Sequence, residues 1–144
     1  WGILFTPLLL LRVILVVGLA LADAGSLGGD RALQVIVGLA LLLPVAYTGW
    51  SIRKYFGFAR ALGGDHFRQA YRDMPLVRGG IFKYSSNAMY TFAFLAFWAA
   101  GLLAGSGAAL ASALFQHAYI WVHMYCTEEP DMRVIYGSGG QDAA

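Results

Sequence analysis

Four apolar runs alternate with short polar breaks along this chain: Ile3 to Ala22, Ala32 to Trp50, Asn87 to Ala104 and Gly107 to Cys126. A helix needs about 20 predominantly apolar residues to cross roughly 30 Å of bilayer hydrocarbon. The pattern predicts an all-α, polytopic membrane protein of one domain over 1–144, with crossings at about 3–22, 32–50, 87–104 and 107–126. The break after the first run, DAGSLGGDR, turns the chain back, and Gly105-Ser106-Gly107 makes the last two crossings a tight antiparallel hairpin. Pro44 predicts a kink in the second crossing. Gly101 and Gly105, four apart, predict a close approach to a neighbouring helix.

Beyond Trp50 the pattern changes. Ile52, Tyr55, Phe56, Ala59 and Leu62 recur at helical spacing with Arg53, Lys54 and Arg60 between them. This predicts an interfacial helix leaving the membrane and ending at Gly63-Gly64. A polar stretch follows to Phe82, with Pro75 and Gly79-Gly80 marking loop. Ser85-Ser86-Asn87 then offers N-caps for the third crossing.

Composition supports the membrane reading. Charged residues make up only 12% of the chain, about half the share usual in a soluble domain. The first run is expected to be a crossing rather than a cleaved leader, because it is long, carries Arg12 and lacks a clear small-x-small cleavage site. The single cysteine, Cys126, excludes an internal disulfide and a cysteine zinc cluster. Seven of the ten Lys and Arg residues fall between Arg53 and Lys83, and positive segments beside crossings stay cytoplasmic. Both termini are then cytoplasmic, the linkers at 23–31 and 105–107 lie on the far side, and Glu128-Glu129 emerge beside the approach to Asn87. The ends of one hairpin meet at the cytoplasmic surface and can build one site. Anionic headgroups explain the basic block better than nucleic acid does.

Several polar groups could carry chemistry. Glu128 and Glu129 close the last apolar run; adjacent helical positions are about 100° apart, so only one can face inward fully. Two acids at a helix C-terminus oppose the macrodipole and suggest a cationic partner, a basic residue or a ligand; the plain alternative is a solvated helix end. Gln116, Tyr119 and His123 share one helix face, extended by Thr127, and serve either as interhelical hydrogen bonding or as the wall of a wet cavity. In the second case His123 is the proton acceptor. His117 is expected to be structural. Arg12 snorkels, pairs with an acid or holds a lipid phosphate. The two helical histidines, six apart, do not share a face for a metal, and Gly79-Gly80 lacks the spacing and the preceding strand of a dinucleotide fingerprint.

GGIFKYSSNAMYTF and TEEPDMRVIYG, with FARALGGDHF upstream, resemble the membrane methyltransferases that include phosphatidylethanolamine N-methyltransferases and isoprenylcysteine carboxyl methyltransferases. The resemblance covers roughly residues 50–137. It implies an S-adenosylmethionine pocket closed by the hairpin, the preceding loop and a C-terminal helix, on the cytoplasmic side. Gly80, Tyr84, Asn87 and Tyr90 map to the loop side of that pocket, and Glu128 and Glu129 to its acidic side. A membrane lipid is the implied second partner, most simply a phosphatidylethanolamine-type headgroup. His123 or Glu129 would accept its proton, and Arg53, Arg78 or Lys83 would hold its phosphate. Ser86, Ala88 and Phe92 stand where relatives carry Arg, Pro and Gly. Asn87, Met89 and Glu-Glu-Pro lean toward the phospholipid branch. A carboxyl or thiol acceptor on the same scaffold, a non-catalytic module of this fold, and a transporter are the alternatives.

Overall fold

The computed structural model describes residues 2–62, 70, 74, 77–85 and 87–136, and among these every regular element is helical. The helices are α1 (Gly2–Ala22), α2 (Arg31–Ser51), α3 (Phe58–Ala61), α4 (Leu95–Ala104), α5 (Gly107–His123) and α6 (Glu129–Tyr136). Three π-turns extend them: Ile52–Phe56 after α2, Met89–Ala93 before α4 and Met124–Glu128 between α5 and α6. A 3₁₀ turn covers Gly80–Lys83. The glycine pair expected to end the interfacial helix, most of the polar loop, Ser86 and Gly137 lie outside the described residues.

Helix α4 is the hub, packing on α2, α5 and α1. Small residues make this close packing possible: Ala99, Ala109 and Ala113 are fully buried. Close approach falls partly where it was expected. A Cβ on Gly101 would come within 2.8 Å of Leu110, so that glycine does admit α5, whereas Gly105 has φ +65° and makes the hairpin turn. Gly38 of α2 does the same for Leu103, at 2.9 Å, and the spacing rule did not single it out. Val16, Phe97 and Ala113 form a small core with Phe94 and Trp98 against it.

Two expectations are corrected. The interfacial helix does not run on from α2 to Leu62: Gly57, at φ +85°, breaks it after the π-turn and leaves only the short α3. The helix bearing Glu128 and Glu129 does not end there either, since it continues to Tyr136. The two acids are therefore not at a helix C-terminus, and the dipole gives no reason for a cation. Helix α2 runs through Pro44 without a break. Among the described residues, one helix, Arg31–Phe56, is long and apolar enough by itself to cross a membrane; Thr6–Ala22 and Met89–Ala104 are shorter apolar helices.

The linker after α1 does more than turn the chain. Helix termini leave N–H and C=O groups without helical partners, and this linker supplies them to its neighbours. Asp23 Oδ2 accepts from Ser26 Oγ at 2.6 Å, Ser106 Oγ at 2.7 Å and the Ala108 N–H at 3.0 Å. Ser26 Oγ accepts from the Gly107 N–H at 2.9 Å, and Ser106 Oγ from the Ala109 N–H at 3.0 Å. At the end of α4, Gly25 N–H donates to Ala104 O and Leu27 N–H to Gly105 O. Arg31 donates to Leu102 O at 2.8 Å and also to Leu103 O. An acid thus sits at the N-terminus of α5 and a cation at the C-terminus of α4, the arrangement the helix dipoles favour. Asp30 caps α2 itself, accepting from the Ala32 and Leu33 N–H groups.

Hydrogen bonds from Ser26, Ser106 and Ala108 hold the Asp23 carboxyl below its ordinary pKa. A lowered folded-state value stabilises the fold above the unfolded pKa, about 3.9 for aspartate, and that contribution is lost as pH falls through the folded value. Asp23→Asn should lower the melting temperature at neutral pH. The gap from wild type should shrink as both proteins are melted at pH values stepped down through the carboxylate range.

Candidate active site

The end of the bundle opposite the Asp23 clamp gathers the two segments singled out in the sequence. Gly79-Gly80 and the 3₁₀ turn dock on the end of α2. The Ile81 N–H donates to Ser51 Oγ at 3.0 Å, and Ser51, fully buried, donates to Tyr47 O at 2.7 Å. The glycines are needed for this contact. A Cβ on Gly79 would lie 2.6 Å from Tyr55, and one on Gly80 would lie 2.5 Å from Ser51 Oγ. Gly80 also has φ +62°, a conformation that costs a side-chain-bearing residue about 1–2 kcal/mol.

Around the turn lies an apolar cluster of Ile81, Phe82 and Ala88, with Ile52, Phe56, Met89 and Phe92 packed against it. Phe56 and Phe82 stack with centroids 5.1 Å apart. Ala88 is fully buried. Two of the three departures from the resembling pattern, Ala88 and Phe92, therefore belong to the packing that supports the turn. Asn87 starts the next helix: its N–H donates to Ser85 Oγ at 3.2 Å, and its carbonyl accepts from the N–H groups of Tyr90 and Thr91.

Tyr90 reaches across to the other segment, its hydroxyl donating to Glu128 Oε2. This contact joins the loop side to the acidic side, and both partners were among the expected site residues. The π-turn at Met124–Glu128 helps to aim the acid. Five residues of α-helix would turn Glu128 about 140° away from His123. Closure of the turn from the Glu129 N–H to Met124 O instead brings residues five apart toward one face. Glu129, the adjacent acid, is bonded at 2.6 Å to Arg133 on the surface. One carboxylate faces the bundle and one faces out, as their adjacency required.

The remaining expected residues are more dispersed. Tyr84 is 73% exposed, and Arg53, Arg78, Lys83 and His123 are exposed as well. His117 is structural as expected, accepting from Trp98 Nε1 at 3.1 Å and stacking on Phe94. Sequence reasoning missed Ser51 and Tyr55, the seat of the glycine turn, although Ser51 is a polar residue closing an apolar run. It also missed the burial of Arg60, whose guanidinium lies 5.2 Å from the Phe56 ring.

Gly80→Ala should destabilise the folded protein by at least about 1–2 kcal/mol. Gly18→Ala, inside α1 with no atom within 4 Å of the added Cβ, should be neutral or stabilising by up to about 1 kcal/mol. Denaturation of the two variants side by side separates site packing from general helix propensity.

Comparison with known proteins bears on this end of the molecule. A sequence model described as "Phospholipid methyltransferase" matches residues 33–139. The chain is 31% identical over 106 residues to the phosphatidylethanolamine N-methyltransferase of Malassezia globosa, covering 74% of this chain and 11% of that protein. The chain thus spans only a small part of the curated relative's length. No solved structure matches.

Proposed function

Because this chain belongs to the phospholipid methyltransferase family, we propose that it is an integral membrane, S-adenosylmethionine-dependent methyltransferase that N-methylates a phosphatidylethanolamine-type lipid. The observation that carries the reading is the bond from Tyr90 to Glu128, which draws the two family-like segments to one end of one helical hairpin. A partly buried carboxylate at that point suits a ligand carrying an ammonium or hydroxyl group.

Four crossings remain the best account of the bundle. Large apolar side chains face outward along α1 and α2, among them Ile3, Ile14, Leu21, Ile36 and Leu43, which in water would leave a large apolar surface uncovered. Trp50, Tyr55, Tyr84 and Tyr125 are exposed at the site end, and Lys54 lies 4.8 Å from the Trp50 ring. Exposed aromatics with basic neighbours suit a membrane–water boundary, and the basic block favours the cytoplasmic one.

S-adenosylmethionine, when bound, supplies a methyl group on a sulfonium centre. For this chain's own residues the task is positioning and exclusion of water. Glu128, oriented by Tyr90, holds the cationic or hydroxyl-bearing part of the methyl donor. Gly80 contributes by letting its turn seat on Ser51, since the space a side chain would take is already filled. The lipid amine must be neutral to act as a nucleophile, and His123, exposed at the end of α5 one π-turn before Glu128, is the residue assigned to take its proton. Asn87 and Tyr84 complete the loop side. Arg53, Arg78 and Lys83 draw anionic headgroups to the entrance. Glu129 is held by Arg133 and has a smaller part.

Glu128→Gln should weaken binding of S-adenosylmethionine by roughly 10- to 100-fold, the loss expected for one charge-assisted contact. Glu129→Gln should change it by no more than about twofold, as befits an exposed ion pair. Calorimetric titration of detergent-solubilised protein reads both, and an unchanged affinity in Glu128→Gln would remove that acid from the site. Incubation with methyl-labelled S-adenosylmethionine and total membrane lipid should put the label on the ethanolamine phospholipids. Label on a prenylated peptide or a thiol instead would move the protein to another branch of the scaffold.

A further inference from the structure

Arg12 lies halfway along α1, in a segment that precedes the family match at residues 33–139. Its guanidinium donates to Gln116 Oε1 of α5 and lies 4.8 Å and 5.4 Å from the ring centroids of Phe94 and Phe97. Gln116 in turn donates to Ser112 Oγ at 3.1 Å. Among the described residues, these partners are an amide and two aromatic faces, all neutral. A cation held among apolar helices by neutral partners keeps its full charge to offer an anion, and in hydrocarbon that offer is strong.

The same residue borders an open groove of about 580 Å³ between α1 and α5. Leu8, Leu15 and Leu19 give one wall its apolar surface, and Gln116 and Tyr119 add polar groups on the other. From Arg12 to Leu19 the helix rises about 10 Å, and that stretch of the groove is lined by Leu15, Val16 and Leu19, a surface for the first part of a lipid acyl chain rather than for a water-soluble metabolite. Toward the site end, the stripe begun by Gln116 and Tyr119 continues through His123 and Thr127 to Glu128. Phe94, under the guanidinium, closes the π-turn that contains Tyr90. Leu15 and Leu19 lie on the other side of Arg12, toward the Asp23 linker. Along the bundle axis the order is therefore carboxylate and tyrosine, then guanidinium, then the deep apolar part of the groove. A phospholipid from the leaflet on the site side presents its amine, phosphate and chains in that same order.

We infer that Arg12, braced by Gln116, anchors the phosphate of a glycerophospholipid whose acyl chain lies in the groove between α1 and α5 and whose headgroup points to Tyr90 and Glu128. The identity of that lipid as the methyl acceptor rests on the function proposed above. Arg12, rather than the exposed Arg53, Arg78 and Lys83, then sets selectivity for phosphate-bearing lipids, and substrate enters sideways between α1 and α5.

The test measures lipid retention and turnover separately on the full chain in detergent. Native mass spectrometry compares phosphatidylethanolamine with diacylglycerol of the same chains. Wild type should prefer the phospholipid by about tenfold or more, Arg12→Gln should lose that preference and Arg12→Lys should keep part of it. In turnover assays Arg12→Gln should raise KM for phosphatidylethanolamine by about tenfold with kcat within about twofold, and S-adenosylmethionine affinity should not change. Wild-type retention and KM in Arg12→Gln would overturn the anchor while leaving the methyltransferase reading intact. Conversely, an Arg12-dependent phospholipid preference in a protein that binds no S-adenosylmethionine would sustain the anchor and sink that reading. If Arg12→Gln does not fold, Leu15→Trp, which fills the groove and spares the charge, should reduce phospholipid retention, and unchanged retention would overturn the proposal. A dimer that dissociates in Arg12→Gln, with no phospholipid held by either protein, would assign the groove to a second copy and overturn it too.

Discussion

Helix ends in an apolar bundle must find partners for their backbone groups, and one short linker meets that demand for three helices at once. Asp23 and Ser26 take the first N–H groups of α5, Arg31 and two linker N–H groups take the last carbonyls of α4, and Asp30 caps α2. Orphaned groups would be expensive in a low-dielectric setting, so these bonds fix the register of α4 against α5. Everything at the opposite end inherits that register. Tyr90 meets Glu128 because the two helices that carry them are pinned at Ala104 and Ala108.

The site end is built differently. There the helices are widened by π-turns, and contact depends on glycine and alanine rather than on polar caps. Gly79 and Gly80 let a tight turn press on Ser51 and Tyr55, and the fully buried Ala88 packs with Phe82 and Phe92 beside it. One end of the bundle is thus defined by hydrogen bonds to helix ends, and the other by close backbone approach, with the Ile81–Ser51 and Tyr90–Glu128 bonds beside it. That division puts the candidate chemistry where the backbone is irregular, a common association for π-turns.

The sequence made the helical content and the hairpin legible, because apolar runs and Gly105-Ser106 carry those signals locally. The pairing of Tyr90 with Glu128 was legible only through the spacing of two motifs and their resemblance to a known family. What escaped notice depended on residues meeting from different helices. Nothing local marked Asp23 and Arg31 within the linker, and although interhelical hydrogen bonding was expected of Gln116, no sequence signal paired it with Arg12. The acids were misjudged as a helix end because a π-turn has no sequence signature, and Thr127 to Pro130 look like a terminus. Gly57 stopped the surface helix early because one left-handed residue outweighs a continuing apolar periodicity.

The π-turn between His123 and Glu129 has a consequence for how such a chain can vary. It accommodates one residue more than a regular helix needs between the groove-lining face of α5 and the acid pair. Removing a single residue there would let the Glu129 N–H bond Met124 O as an ordinary α-helical pair, so the side chains after the turn would keep their phase and the upstream contacts with Arg12 and Trp98 would stay where they are. The turn therefore acts as slack in the helix: a change of one residue in length is taken up locally, and neither the groove-lining face before it nor the acids after it must turn.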